Sequence, residues 1–218
     1  MTTGSDPRAR RPAPDPLWPE LEPEPARRLA IGATRAFAER GFHATTTRDI
    51  SERAGMSTGG LYVYFQSKED LLFQISLTGH RRALAVVSAA AESEHEPVAR
   101  LHSVVRSFAS WHAENHQAAL VLQYELGALS PEHFAEVAKV RREIDRVMRE
   151  TIRAGVDAGC FDAPDLAGAA LALLSLCIDV ARWFTVAHRR SPEAIGELYG
   201  DLAVRMLRAA GGPAAGAE

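Results

Sequence analysis

Tyr62 and Tyr64 stand two residues apart in a stretch where two adjacent glycines are followed by large apolar residues: Ser57-Thr58-Gly59-Gly60-Leu61-Tyr62-Val63-Tyr64-Phe65. On a helix, residues two apart do not share a face, so they cannot both follow Leu61 and Phe65 into a core. At least one phenol is left outward, where its hydroxyl can reach a phosphate or a base edge. Gly59 and Gly60 are poor helix formers, each costing roughly 1 kcal/mol against alanine. They make sense where a helix backbone must come close to a ligand such as DNA. A second candidate site is the pair His112 and His116, spaced i, i+4, with Glu114 nearby. A metal needs a third ligand of suitable spacing, and none is present, so no metal site is assigned. No nucleophile elbow, phosphate loop or carboxylate pair appears. The chain is therefore not expected to be an enzyme, and no cofactor is expected.

The elements around the tyrosines are written in capping signals. Thr46 can cap a helix, with Asp49 three residues on in the reciprocal position. Ile50 and Ala54 then face inward, and Gly55 supplies the positive φ of a turn. Ser57 can cap a second short helix, with Met56 and Leu61 as a hydrophobic staple. Ser67 caps a third, with Asp70 as its reciprocal partner. Two short helices about a glycine turn form a helix-turn-helix, whose second helix lies in the DNA major groove with its N-terminal residues against the bases. From Pro25 to Lys68 there are seven basic residues against three acidic ones, a local excess that suits a phosphate-binding face although the whole chain carries −3.

Beyond this stretch the pattern is helical throughout, which predicts an all-α fold. Ala26, Leu29, Ala30, Ala33, Ala36 and Phe37 make one apolar stripe over about 25–40, with Gly41 as a left-handed exit. Further helices are expected at about 67–93, 98–114, 116–128, 131–159, 163–188 and 191–210, four of them opened by Pro97, Pro131, Pro164 and Pro192. Residues 1–23, with five prolines from Pro7 to Pro19, read as a disordered arm, and 211–218 as a disordered tail. Between them, 24–75 reads as the DNA-binding domain and 76–210 as a helical domain for ligand binding and dimerisation. The longest nearly apolar run, Leu166 to Ile178, is too short to span a bilayer. Without a signal peptide, and with Cys160 and Cys177 read as buried free thiols, the expected setting is the cytoplasm, with no membrane partner.

The run Thr46-Thr47-Arg48-Asp49-Ile50-Ser51-Glu52-Arg53-Ala54-Gly55-Met56-Ser57, continued by Leu61-Tyr62-Val63-Tyr64-Phe65-Gln66-Ser67-Lys68-Glu69-Asp70-Leu71, resembles the N-terminal signature of the TetR family. The likeness covers about residues 25–75. It implies a homodimeric, ligand-responsive transcriptional repressor on a palindromic operator. It also implies DNA contacts from Thr47, Arg48, Thr58, Gly59, Tyr62, Tyr64 and Lys68. With Ser57 and Gly60 from the cap and glycine readings, these form the candidate nucleic-acid interface. Thr47, Tyr62 and Lys68 look like phosphate clamps. The chain departs from the family at Ser51 (usually Ala), Met56 (usually Val) and Gly60 (commonly Thr).

Residues Ala119 to Phe184 resemble an acyl-CoA-responsive subgroup of that family, through Tyr124-Glu125-Leu126, Leu129-Ser130-Pro131-Glu132-His133, Arg141-Arg142-Glu143-Ile144 and Arg182-Trp183-Phe184. A small hydrophobic or acyl-CoA-type effector is implied. Phe108, Trp111, Tyr124, Arg141, Trp183 and Phe184 are the candidate ligand-binding residues, with Arg141, Arg142 or Arg182 able to meet an anion. Leu173, Cys177 and Val180, with Leu198, Leu202 and Met206, are the candidate dimer interface, closing a four-helix bundle between two copies. An activator, or a DNA-binding protein indifferent to small molecules, shares the helix-turn-helix. Only a ligand-dependent change in DNA affinity separates these readings.

Overall fold

The computed structural model of the chain describes residues 18–185 and 189–208. Among them the fold is all-α: α1 Glu24–Ala44, α2 Thr47–Arg53, α3 Thr58–Leu61, α4 Lys68–Ser93, α5 Pro97–Glu114, α6 His116–Tyr124, α7 Pro131–Asp157, α8 Leu166–Trp183 and α9 Pro192–Leu207, with one 3-10 turn at Leu126–Ala128. Prolines at or next to the first residue start α1, α5, α7 and α9, where a missing N–H costs nothing. Hydroxyl or carboxylate caps close α2, α3, α4, α5, α7, α8 and α9. Asp70 differs slightly from expectation. Its N–H is capped by Ser67 Oγ, but its carboxylate accepts from the Gln66 N–H, one residue before the cap.

Gly41 takes φ 78°, as the sequence predicts, but the chain makes one more turn through Phe42 before it leaves α1. The arm ends earlier than expected. Trp18 is fully buried in the main core, Leu21 packs against that core, and Glu20 pairs with Arg82 at 2.8 Å. The first 17 residues and the tail expected at 211–218 lie outside the described residues.

Helices α1 to α3 form a small head joined by α4 to a larger bundle. The most extensive helix pair is α5 against α9. Two glycines allow it: a Cβ on Gly196 would lie 2.1 Å from Ser110 Oγ, and one on Gly200 would lie 2.8 Å from the His102 ring. Helix α8 is long and apolar enough to cross a membrane by length and composition, which the thirteen-residue apolar run did not suggest. It packs instead against α5, α6 and α7. Leu173, Cys177 and Val180, expected at the dimer interface, are completely enclosed within the single chain. The exposed large apolar residues of α8 are Leu171, Leu176 and Trp183, and those of α9 are Leu198, Leu202 and Met206.

Candidate nucleic-acid interface and ligand cavity

The head is held together by its caps and by several of the basic residues that the sequence offered as a phosphate-binding face. Thr46 and Asp49 form a complete capping box on α2. Three donors to its carboxylate hold the Asp49 pKa below the usual value: the Thr46 N–H first, then the Thr46 hydroxyl, then Arg40. Gly55 turns the chain with φ 66°. The Arg28 guanidinium donates to the Ala54 and Gly55 carbonyls at the end of α2. Arg53 forks onto Glu39 at 3.0 and 2.5 Å, and Arg40 pairs with Asp49 at 3.5 Å. Much of the local basic excess is thus spent on internal ties, and is not a uniform phosphate-binding face.

What the head presents is narrower. Arg48 is exposed on α2, paired with Glu52 at 2.8 Å. Thr47 is half-buried and Thr58 is exposed at the start of α3. Ser57 Oγ accepts the Gly60 N–H, so its hydroxyl serves the helix. A Cβ on Gly59 would meet nothing within 4 Å, so this residue lies open to an approaching surface, whereas one on Gly60 would meet the Met56 methyl at 3.2 Å. Tyr62 is 55% exposed, while Tyr64 packs against the core. Val63, at 72% exposure, was missed; it carries no polar group to draw notice. The Lys68 ammonium donates to the Phe42 and Thr45 carbonyls, both at 2.7 Å, and sits 4.1 Å from the Phe42 ring centre. Partial burial lowers its pKa. Lys68 therefore bolts α4 to the end of α1, with one donor left over. Ser51 fits the alanine preference of its position: its hydroxyl is buried without a partner among the described residues.

In the larger bundle, α4 to α8 enclose a cavity of about 80 Å³. Its lining includes the expected Phe108, Trp111 and Arg141, and His112 of the histidine pair. It also includes Leu122 and Ile144, which the apolar pattern offers as core or pocket lining, and His80, Gln123, Leu174 and Ile178, which were not named as ligand residues. His80 went unnoticed because one histidine in an apolar stripe has no periodic signature. Each buried ring donates Nδ1–H to a carbonyl four residues back, His80 to Ser76 and His112 to Phe108, at 2.8 Å. Burial pushes both pKa values down to about 4, so both are neutral near pH 7. His116 instead approaches the Ala113 carbonyl, and no metal-binding group of three ligands exists among the described residues.

Three of the expected ligand residues are elsewhere. Tyr124 ends α6 at 58% exposure, Phe184 is buried in a separate small cluster with Ala113, Val180 and Ile195, and Trp183 lies part-exposed and hydrogen-bonded to Tyr199. Aromatic character picked them out, but each sits at, or one residue past, the end of a helix that borders the cavity. Of the three candidate arginines, Arg182 is paired with Asp179 at 2.7 Å and Arg142 is exposed, which leaves Arg141 inside.

An all-α chain with a helix-turn-helix head on a larger, cavity-bearing bundle defines the class of one-component DNA-binding regulators. A family profile described as "Bacterial regulatory proteins, tetR family" matches residues 32–75, and one described as "Tetracyclin repressor-like, C-terminal domain" matches residues 94–207. The chain belongs to the TetR family of transcriptional regulators. It is 33% identical over 140 residues to the HTH-type transcriptional repressor KstR2 of Rhodococcus jostii, a match covering 61% of this chain and 65% of that protein. A crystal structure of a tetR-family regulatory protein from Rhodococcus RHA1 superimposes with a TM-score of 0.82 at 43% identity, covering 87% of this chain and all of that one. The regulator PfmR of Thermus thermophilus gives 0.77 at 30% identity, covering 82% and 97%.

Proposed function

We propose that this chain is a transcriptional repressor that binds an inverted-repeat operator as a homodimer and is released when a small hydrophobic or acyl-CoA-type effector fills the cavity. Residues 24–75 serve as the DNA-binding domain and 76–210 as the effector and dimerisation domain, working in the cytoplasm without a membrane partner. The observation that carries this reading is that α4 belongs to both sites. Its first residue, Lys68, holds the end of α1, and its middle residues, His80 and Ala83, line the cavity. A ligand that displaces the middle of a rigid helix must move its end. The repressor relatives at 30–33% identity support the direction of control.

Thr47, Arg48, Thr58, Tyr62 and the spare donor of Lys68 would meet DNA, with the open Gly59 letting α3 lie close. Two-fold symmetry would present two equivalent recognition helices to two half-sites. Titration of the full chain with its own upstream DNA, with and without effector, tests the reading. A ligand moves the equilibrium only by its difference in affinity between the two conformations, typically about 1–3 kcal/mol of coupling, and operator must weaken effector binding by the same factor. Equal effector affinity with and without operator would overturn release as the mechanism.

A further inference from the structure

We infer that the cavity is built to hold the carboxylate of a small apolar monocarboxylic acid, with Arg141 as its anion anchor; this deepens, and rests on, the reading of the cavity as the effector site. The Arg141 guanidinium reaches the cavity from α7 and donates through one nitrogen to His80 Nε2 at 3.2 Å and to Gln123 Oε1 at 3.1 Å. Both partners are neutral. Among the described residues no carboxylate lies within ion-pair distance of Arg141, and none lines the cavity. Two other arginines of the same helix do find acids: Arg146 pairs with Glu143 and Glu150, and Arg149 with Asp145.

A guanidinium taken out of water without an anion is costly, and a bound carboxylate supplies the missing charge through two parallel hydrogen bonds. Burial already lowers the pKa of Arg141, the mark of an uncompensated cation. His80 is fixed as an acceptor by its bond to Ser76, so it steadies Arg141 without competing for the anion. The rest of the wall, including Phe108, Trp111, Leu122 and Ile144, is apolar and suits a hydrocarbon body.

Size and charge narrow the ligand. At about 80 Å³ the cavity is well below the roughly 300–1,000 Å³ of drug-sized sites, so it takes a body of a few carbons or one ring before the helices must part. One cation balances one negative charge, which fits a monocarboxylate. The several phosphate charges of a coenzyme A thioester would find no further cation in this lining.

The test is calorimetry on the full-length dimer with isovalerate, hexanoate and benzoate, each beside its primary amide and its coenzyme A thioester. At least one acid should bind, and its isosteric amide should bind tenfold or more weakly. Arg141→Leu should weaken the acid about ten- to a hundredfold, as loss of a charged hydrogen-bond pair does. The thermal midpoint of the unliganded Arg141→Leu protein should not fall, because an unpaired buried charge has been removed. If that variant fails to fold, the acid-against-amide ratio on the parent chain decides alone. No binding of any acid at millimolar concentration, equal binding of acid and amide, or undiminished binding by Arg141→Leu would each overturn the assignment. Operator release by a thioester whose free acid does not bind would overturn it too, while leaving the regulator reading intact. Acid binding without operator release would do the reverse.

Discussion

At the level of single residues, two groups behave differently from what their chemical type suggests. Lys68 is a bolt before it is a phosphate ligand, because two carbonyls of the α1 exit already take its donors. Lys68→Met should therefore cost about 1–2 kcal/mol of stability, as loss of charged hydrogen bonds to half-buried carbonyls does, and weaken binding to every DNA sequence alike. Tyr62→Phe, by contrast, removes only an outward hydroxyl. It should leave the melting temperature unchanged and reduce DNA affinity; thermal melts and DNA titrations of the two variants, side by side, check the contrast. The second group is the buried pair His80 and His112, each with a folded pKa near 4 against about 6.5 in the unfolded chain. Groups facing them from other helices, Arg141 above all, add no negative charge to favour protonation. The unfolded state thus binds protons first as pH falls. Stability from this source is full above about pH 6.5 and is lost progressively down to about pH 4, on the order of 3 kcal/mol per ring. Denaturant midpoints measured across that range should fall with acid, and His112→Phe should flatten the slope. A midpoint that rose on acidification would contradict the buried neutral state.

At the level of helices, nearly every start was legible because caps and prolines are local chemistry. Thr46, Ser57, Ser67 and the four prolines act within one turn of where they stand. Facing was less legible. Helix α8 is apolar almost all round, so Leu173, Cys177 and Val180 could not be told from Leu171 and Leu176 by periodicity, and the former proved to face inward. Trp18 was missed for a related reason: surrounding prolines signalled chain without helix, which says nothing about burial. On α9 the faces separate cleanly, with Gly196, Gly200 and Ala203 inward and Leu198, Leu202 and Met206 outward. Gly196→Ala would place a methyl 2.6 Å from the Arg106 carbonyl oxygen, an atom that cannot swing away. It should destabilise the chain by about 1–3 kcal/mol through overpacking, read from chemical unfolding, and Gly59→Ala should not.

For the molecule as a whole, the outward leucines of α8 and α9 set an expectation about assembly. Leu171 is 66% exposed, Leu202 41% and Met206 54%, on two helices that follow one another along the chain. A face of that composition is expected to be covered by a second copy, forming the four-helix seam. Leu202→Arg should yield a folded monomer at micromolar concentration in sedimentation, because a charge buried at the seam costs several kcal/mol. Val180→Arg should instead unfold the chain, since that residue lies inside one copy. A Leu202→Arg protein that stayed dimeric would move the interface elsewhere. The cavity is walled in part by Leu174 and Ile178 of α8, and its composition was only half legible. Phe108, Trp111 and Arg141 were visible as residue types, but their convergence depends on helices distant in sequence.

The positions of the three tryptophans also make the chain a set of optical probes. Trp18 is sealed in the main core, Trp183 lies part-exposed at the end of α8, and Trp111 forms part of the cavity wall, edge-on to His112 with ring centres 5.0 Å apart. An indole in that place feels any change in the polarity and packing of the cavity. Its emission should shift when the cavity fills and should be quenched when the neighbouring imidazole gains a proton. With Trp18 and Trp183 replaced by phenylalanine, the remaining signal would come from that wall alone. Cavity occupancy could then be followed in solution by intrinsic fluorescence, with no label and no DNA in the cuvette.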